Sequence, residues 1–534
     1  MRNAPYPLYE AELKKNIKEF VSYCAKKYST RLAFAGDTIG KTYEEFETEA
    51  RYIGTKLIND IGINNKIALV GENSYEWILT YISVVCSGNI IVPIDKDLPE
   101  ESINNILSET KCCLIFCSDK CKDIGCDIKK INMQQDLQNY ITSGEELYKN
   151  NHSIYDGVKI DDEDVATIIY TSGTTGIAKG VMLTHKNLCT NIYISSKNLL
   201  ITGNSLLVLP LHHTFAFMAN VLCMLNIGHT THISKSLKRV SKELMEYKPK
   251  VMFIVPMIVE TFYKKIWNTA KETKKDKLLR ALIKISNILR NIGIDIRRKI
   301  FKSVLKSFGG ELELIVCGGA LLDNKYIKAF DDLGITLLNG YGITECSPIV
   351  SVNRNKYIKE NSVGLILEGL DIKIDNKDGQ REGEILVKGD IVMKGYFNND
   401  EKTKEVMTDD GYFRTGDIGY LDEDKFLYIT GRCKNIIILD NGKNVYPEEL
   451  ELVLSNEEAI SEVIVYGKEN KITAEIYPDK EYIEGENITD VQEYFNGIIE
   501  SFNKSQPMYK QINDIVLRDC EFEKTTTKKI KRKY

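Results

Sequence analysis

The chain of 534 residues is 43% apolar, enough for a large core and for more than one domain. Its 71 basic and 76 acidic residues leave a formal charge of -5, a balance that gives no general field for attracting nucleic acid. Thirteen cysteines, an odd number, and an amino-terminal stretch 1–15 with charges but no apolar core read as reduced thiols in the cytoplasm.

After a helical amino-terminal region, apolar strands are predicted at Lys66–Val70, Ile90–Ile94 and 112–117, alternating with helices. Pro99 stands where a first helical position would be, followed by Glu100 and Glu101, which suit a helix amino terminus. The uncharged stretch 77–94 is long enough to raise the question of a membrane span. Ser87, Gly88, Asn89 and Pro93 read instead as a helix end, a turn and a buried strand, so no span is expected. Cys112, Cys113, Cys117, Cys121 and Cys126 have no nearby His and are read as small hydrophobes rather than metal ligands.

An apolar run, 165–170, leads into Tyr170-Thr171-Ser172-Gly173-Thr174-Thr175-Gly176-Ile177-Ala178-Lys179-Gly180, and 181–183 leads out, as in a strand-loop-strand. The three glycines let backbone N–H groups approach an anion, the four hydroxyls can donate to phosphate oxygens, and Lys179 adds a compact positive charge. The spacing of Gly173, Gly176 and Lys179 is not that of a Walker A loop.

The β-α-β rhythm resumes with a strand at 206–209, a helix from about His213, a strand at 251–255 and a helix that can start at Pro256. This predicts doubly wound, largely parallel sheets covered by helices. The charge-rich segment 264–306 keeps Leu278, Leu282, Ile285 and Leu289 at helical spacing and reads as surface helices. From 362 to 429, short alternating strands with Gly-rich turns suggest a β subdomain, and the composition breaks at 430–434. Beyond lies a unit with its own small α+β pattern: a helix from Pro447, strands at 463–466, 472–477 and 512–517, and a helix near 491–502. The expected fold class is α/β, with an amino-terminal domain 1–431 and a carboxy-terminal domain 432–534.

The phosphate loop resembles the signature of the adenylate-forming superfamily, which contains acyl-CoA synthetases, luciferase and the adenylation domains of peptide synthetases. Further segments match in the family's order. Pro210-Leu211-His212-His213 resembles its P-L-x-H segment, which implies that His213 lies beside the carboxylate site. Cys317-Gly318-Gly319-Ala320 and Asn339-Gly340-Tyr341-Gly342-Ile343-Thr344-Glu345 look like the segments around adenine and phosphates. Their chemistry is sensible: glycines admit a flat base, Tyr341 can stack on it, and Glu345, with Thr171, can hold Mg²⁺ through hard oxygens.

By the same resemblance Asp417, in Tyr412-Phe413-Arg414-Thr415-Gly416-Asp417, accepts the ribose hydroxyls, Arg432 faces the nucleotide, Lys434 is the hinge and Gly442 lies at the CoA site. The tail, with six basic residues between Lys524 and Lys533, reads on composition as an anion-binding or membrane-touching arm. It also aligns with the family's closing pattern, which makes Lys529 the catalytic lysine, although Lys528 stands where Gly is common. Gly340 to Pro348, with Ser351-Val352-Asn353, looks most like bacterial long-chain fatty acid CoA ligases.

The resemblance implies activation of a carboxylic acid by ATP to an acyl-adenylate, with Mg²⁺, and transfer to CoA. An apolar stripe after His213, made of Phe215, Phe217, Val221, Leu222 and Leu225, is the expected acyl wall. Alternatives left open are loading of an acyl carrier protein, a non-catalytic nucleotide or acyl-chain binder, and luciferase chemistry. The sequence sets no oligomeric state.

Overall fold

The computed structural model describes residues 8–121, 123–171, 178–376, 380–439, 443–468, 471–524 and 530–532. The chain forms two compact units, one from Met1–Ala320, Asn324–Asp371 and Lys388–Phe413, the other from Leu321–Asp323, Ile372–Val387 and Arg414–Tyr534. The boundary expected at 431/432 falls inside the second unit, because strands drawn from the expected β subdomain group with the carboxy-terminal residues.

The first unit is α/β with two mixed sheets. A seven-stranded sheet runs in the order Gly395–Tyr396, Lys179–Thr184, Val165–Thr171, Ile90–Ile94, Lys66–Val70, Leu114–Cys117, Lys129–Asn132. Its five strands from Val165–Thr171 to Lys129–Asn132 are parallel, and on the other edge Lys179–Thr184 pairs antiparallel with both of its neighbours. One face buries Ala68, Val70, Val92, Ile115 and Ile168 against Ile103, Ile106 and Leu107 of the helix Glu100–Thr110. Pro99 caps that helix and does not form its first turn, a one-residue correction.

A nine-stranded sheet runs in the order Leu365–Ile366, Ile349–Val352, Thr336–Gly342, Leu314–Cys317, Val251–Ile254, Ser205–Leu207, Thr231–Ile233, Leu32–Ala35, Gly40–Thr42. Its middle strands are parallel, with Cys317 level with Asn339, so Gly318, just past the end of its strand, comes beside Gly340, which is still in its strand and paired with Val352. The carboxyl end of the parallel strands is where open α/β sheets bind ligands. Pro256 is the first residue of the helix Pro256–Glu272, where its missing N–H costs nothing. The stretch 77–94 resolves into the helix Tyr75–Cys86 and the strand Ile90–Ile94, and no described helix is long and apolar enough to cross a membrane.

The second unit holds a four-stranded sheet in the order Asp371–Asp375, Gly383–Lys388, Phe413–Leu421, Leu427–Arg432. It also holds a three-stranded sheet in the order Ile460–Lys468, Lys471–Pro478, Asp514–Leu517. The helices Pro447–Leu454 and Val491–Lys504 cover the latter and bury Leu450, Leu454, Phe495 and Ile499 with Val465, Ala474 and Ile476. This is the separate core expected from the sequence. Not every strand between 362 and 429 belongs to a β subdomain: Leu365–Ile366 and Gly395–Tyr396 extend the two large sheets of the first unit.

Candidate active site

In the first unit the strands Val165–Thr171 and Lys179–Thr184 pair as an antiparallel hairpin, with Thr171 opposite Lys179 at its mouth. Ser172, Gly173, Thr174, Thr175 and Gly176, expected to hold phosphate, lie outside the described residues. Lys179 Nζ stands 5.2 Å over the ring of Tyr396, and the Tyr396 hydroxyl donates to Glu345 Oε1 at 3.0 Å. The strand Gly395–Tyr396 pairs with Val181 and Met182, which fixes that tyrosine beside the hairpin. Burial and the Glu345 charge push the Tyr396 phenol well above its ordinary pKa, so it remains a donor at neutral pH.

Glu345 lies in a short turn, Thr344–Cys346, just after the strand Thr336–Gly342. Its backbone carbonyl accepts from Met393 N at 2.8 Å, so the segment is held at both backbone and side chain. Gly342 is required here, because a Cβ would come within 2.1 Å of the Pro348 carbonyl oxygen. Gly319 has φ +88, and a Cβ on Gly318 would rest 3.5 Å from the Phe215 ring. The Asn339 side chain is buried and leaves Oδ1 without a hydrogen-bond partner among the described residues, next to half-buried Gly340 and Tyr341. A buried acceptor of this kind favours a ligand that donates to it.

The segment Pro210-Leu211 is pinned by Asn73, whose Nδ2 donates to Leu209 O at 2.7 Å and whose Oδ1 accepts from Leu211 N at 2.9 Å. His213 caps the helix Thr214–Phe217, and Thr214 Oγ1 donates to Thr344 Oγ1 at 3.4 Å, bringing the His213 segment to the Glu345 turn. The rings of His212 and His213 are 4.1 Å apart, and His212 Nε2 lies 3.4 Å from Asp95 Oδ2 at the end of the strand Ile90–Ile94. Burial holds His212 below its ordinary pKa against the opposing pull of Asp95, so its ring is neutral at pH 7.

Phe217 packs against Trp77 and Tyr81, its ring centroid 3.9 Å from that of Tyr81. With Pro93, Leu188, His212 and Leu222, the rings of Phe217 and Tyr81 line a small apolar cavity. Its space for a water-sized sphere is about 10 Å³, room for roughly one water and too little for an acyl chain. Of the expected stripe, Val221, Leu222 and Leu225 are core residues. The helix widens into a π turn over Met218–Cys223, where fully buried Asn220 leaves both side-chain amide atoms without a partner among the described residues.

The second unit carries the other expected nucleotide contacts. Asp417 on the strand Phe413–Leu421 faces Arg432 on Leu427–Arg432, and Arg432 Nε donates to Asp417 Oδ1 at 2.8 Å. The carboxylate is 6% exposed and the guanidinium 44% exposed, so the acid is held by its partner and is not simply solvated. Gly416, at φ +70, donates its N–H to Glu384 Oε1 at 3.1 Å, which shapes the approach to Asp417. Exposed Lys434 lies in the one-turn segment Cys433–Asn435 immediately after Arg432.

Lys529 and Gly442 lie outside the described residues. The flanks of 525–529 are anchored: Lys524 pairs with Ile530 as a β-bridge, and Arg532 meets Glu451 through Nη2 and the Val465 carbonyl through Nη1. Burial pushes the Glu451 carboxyl up to about 7, although Arg532 opposes the shift. Lys524, Ile530 and Arg532 are therefore held and are not part of a free basic arm.

Sequence reasoning missed Tyr396, Asn73 and Asp95. Asp95 carried a usable signal, since it follows a predicted parallel strand at its carboxyl end. Tyr396 carried none, because its role depends on pairing with a strand distant in sequence.

Comparison with known families matches residues 21–397 to the AMP-binding enzyme family and residues 434–534 to the AMP-binding enzyme C-terminal domain. A long-chain-fatty-acid–CoA ligase of Haemophilus influenzae is 31% identical over 76% of this chain and 67% of its own length. The long-chain-fatty-acid–CoA ligase FadD15 of Mycobacterium bovis is 29% identical over 79% of this chain and 74% of its own. The fold is shared with o-succinylbenzoate CoA synthetase of Bacillus subtilis, solved with its acyl-adenylate intermediate, at a TM-score of 0.75, 21% identity and 98% coverage of both chains. With the family match spanning most of its length, the chain belongs to the AMP-binding enzymes.

Proposed function

We propose that the protein is an AMP-forming acid–thiol ligase that converts a medium or long-chain fatty acid to its CoA thioester through an acyl-adenylate. The observation that carries this reading is the linkage of Lys179, Tyr396 and Glu345 at the mouth of the phosphate hairpin, joined through Thr344 and Thr214 to the His213 segment. A site for polyphosphate and a site for a carboxylate would need such a junction.

In the first step a carboxylate oxygen of the acid attacks the α-phosphorus of ATP, and pyrophosphate leaves with the bonding pair. Lys179 and the hydroxyl-rich loop bind the phosphates, and His213, neighboured by His212, orients the carboxylate. Asn339 Oδ1 accepts from the adenine amino group, Tyr341 stacks on the ring, and Gly318, Gly319, Gly340 and Gly342 leave room for the base. One carboxylate and one hydroxyl, Glu345 and Thr171, fit Mg²⁺, which binds mainly through substrate phosphates and would neutralise charge on the departing pyrophosphate. Lys529 bridges the carboxylate and α-phosphate as charge develops.

In the second step the thiol gives up its proton to solvent, its sulfur attacks the acyl carbon, and AMP leaves with the bonding pair. The carboxy-terminal domain, 432–534, turns about Lys434 to withdraw Lys529 and present Gly442 to CoA, a hinge motion of a recurring kind. A fixed φ at the pivot would block the second arrangement, so Lys434→Pro is expected to keep adenylation within about threefold and to reduce thioester formation about tenfold or more. Equal loss of both half-reactions in single-turnover assays would contradict the hinge. The thirteen cysteines, none of them in a disulfide, fit a reducing compartment, and we place the enzyme in the cytoplasm.

For the acyl group to enter beside His213, Phe217 or Tyr81 must move, and the wide turn with unsatisfied Asn220 supports a helix able to rearrange. Phe217→Ala is expected to shift the preferred acid to a longer chain, each added methylene contributing about 0.8 kcal/mol until the space ends. An unchanged optimum across a chain-length series would remove Phe217 from the acyl wall. The function is tested by supplying acids from acetate to long chains with ATP and either CoA or a carrier protein. AMP and acyl-CoA, rising with chain length and then falling, are expected. Acetate or an aromatic acid as best substrate would overturn the fatty acid reading, and product on the carrier alone would overturn CoA as acceptor.

A further inference from the structure

The segment 264–306 contains ten lysines and four arginines against three acids, an excess of eleven positive charges in a chain whose formal charge is -5. Its central helix, Asp276–Asn291, turns Leu279 and Ser286 inward and ties Asn287 to Asp332 and Arg290 to Asp331. Of the apolar residues read at helical spacing, Leu278 and Ile285 face outward, and further apolar residues join them. Leu278, Ile285, Ile288, Ile292 and Ile294 are 48% to 69% exposed. Leu278, Ile285, Ile288 and Ile292 follow one another at helical spacing on one side of the axis. Lys277, Arg280 and Lys284, all exposed, run beside them, and Lys274 and Lys275 precede the helix. The helix is thus amphipathic on its outer side as well as toward the protein.

We propose that this outer face docks on an anionic phospholipid bilayer. Apolar side chains standing beside lysines match a membrane interface, where the former enter the acyl boundary and the latter meet lipid phosphates. A soluble acidic protein would satisfy the lysines and leave the isoleucines without a reason for their exposure. Pairing of two copies of this chain through the same face would bring like charges together. The inference is independent of which acid the enzyme activates.

The test is co-sedimentation of the full chain with vesicles of phosphatidylcholine, and of phosphatidylcholine mixed with phosphatidylglycerol. The expected result is binding to the mixed vesicles that weakens with added salt. Ile285→Glu with Ile288→Glu, and separately Lys277→Glu with Lys284→Glu, are expected to lower that binding about tenfold or more, given the charge and burial each removes. Melting temperature and pyrophosphate exchange with a short soluble acid should remain unchanged in both variants. Failure of the parent chain to bind the mixed vesicles would overturn the proposal. So would variants that bind as the parent does, or a dimer abolished by the isoleucine changes in a protein that ignores vesicles.

Discussion

Lys529→Ala is expected to reduce formation of the acyl-adenylate about 100-fold or more, by comparison with removal of one preorganised charge at a transition state. Thioester formation from a supplied acyl-adenylate should persist, because the lysine acts only before the domain turns. The anchors on either side bear on this expectation. The Lys524–Ile530 bridge and the contacts of Arg532 with Glu451 and Val465 tie the chain to its own domain on both sides of the lysine. Lys524, Ile530 and Arg532 thus keep fixed neighbours on both sides of the position that the substitution changes. Lys528→Ala is the control. Should it abolish adenylation while Lys529→Ala leaves the rate intact, the assignment of the catalytic ammonium passes to Lys528.

Asp417→Ala is expected to raise the KM for ATP roughly 10- to 100-fold, corresponding to ~1–3 kcal/mol for losing a buried hydrogen-bonded acceptor. The KM for the acid should change little, so the ratio of the two effects is the diagnostic reading. The Arg432 pair sharpens the expectation, since the alanine also releases a guanidinium held at 2.8 Å. Arg432→Lys keeps the charge but loses the fixed fork of donors, and should reproduce only part of the loss. An unchanged ATP KM in Asp417→Ala would exclude the carboxylate from the nucleotide site.

Several features were readable in the sequence because they are local. Pro256 opens a helix since its ring sets φ and its missing N–H is not needed there. The runs 165–170 and 181–183 could be read as the two sides of a hairpin from their apolar flanks alone. Long-range pairings were not readable. Tyr396 reaches Glu345 only because its strand adds to the edge of the phosphate hairpin. Asp95 meets His212 only when the strand Ile90–Ile94 is placed in its sheet. The helix Asp276–Asn291 shows a different limit. Spacing gave Leu278 and Ile285 a common side, but periodicity does not say whether that side faces the core or the solvent.

The central claim, that ATP activates a carboxylate as its adenylate, is tested most directly by exchange of labelled pyrophosphate into ATP. The assay contains Mg²⁺ and a fatty acid and omits CoA and every other thiol. Exchange that requires the acid and disappears in Lys529→Ala is the result predicted. Exchange without any acid, or release of ADP and phosphate in place of AMP and pyrophosphate, would contradict it.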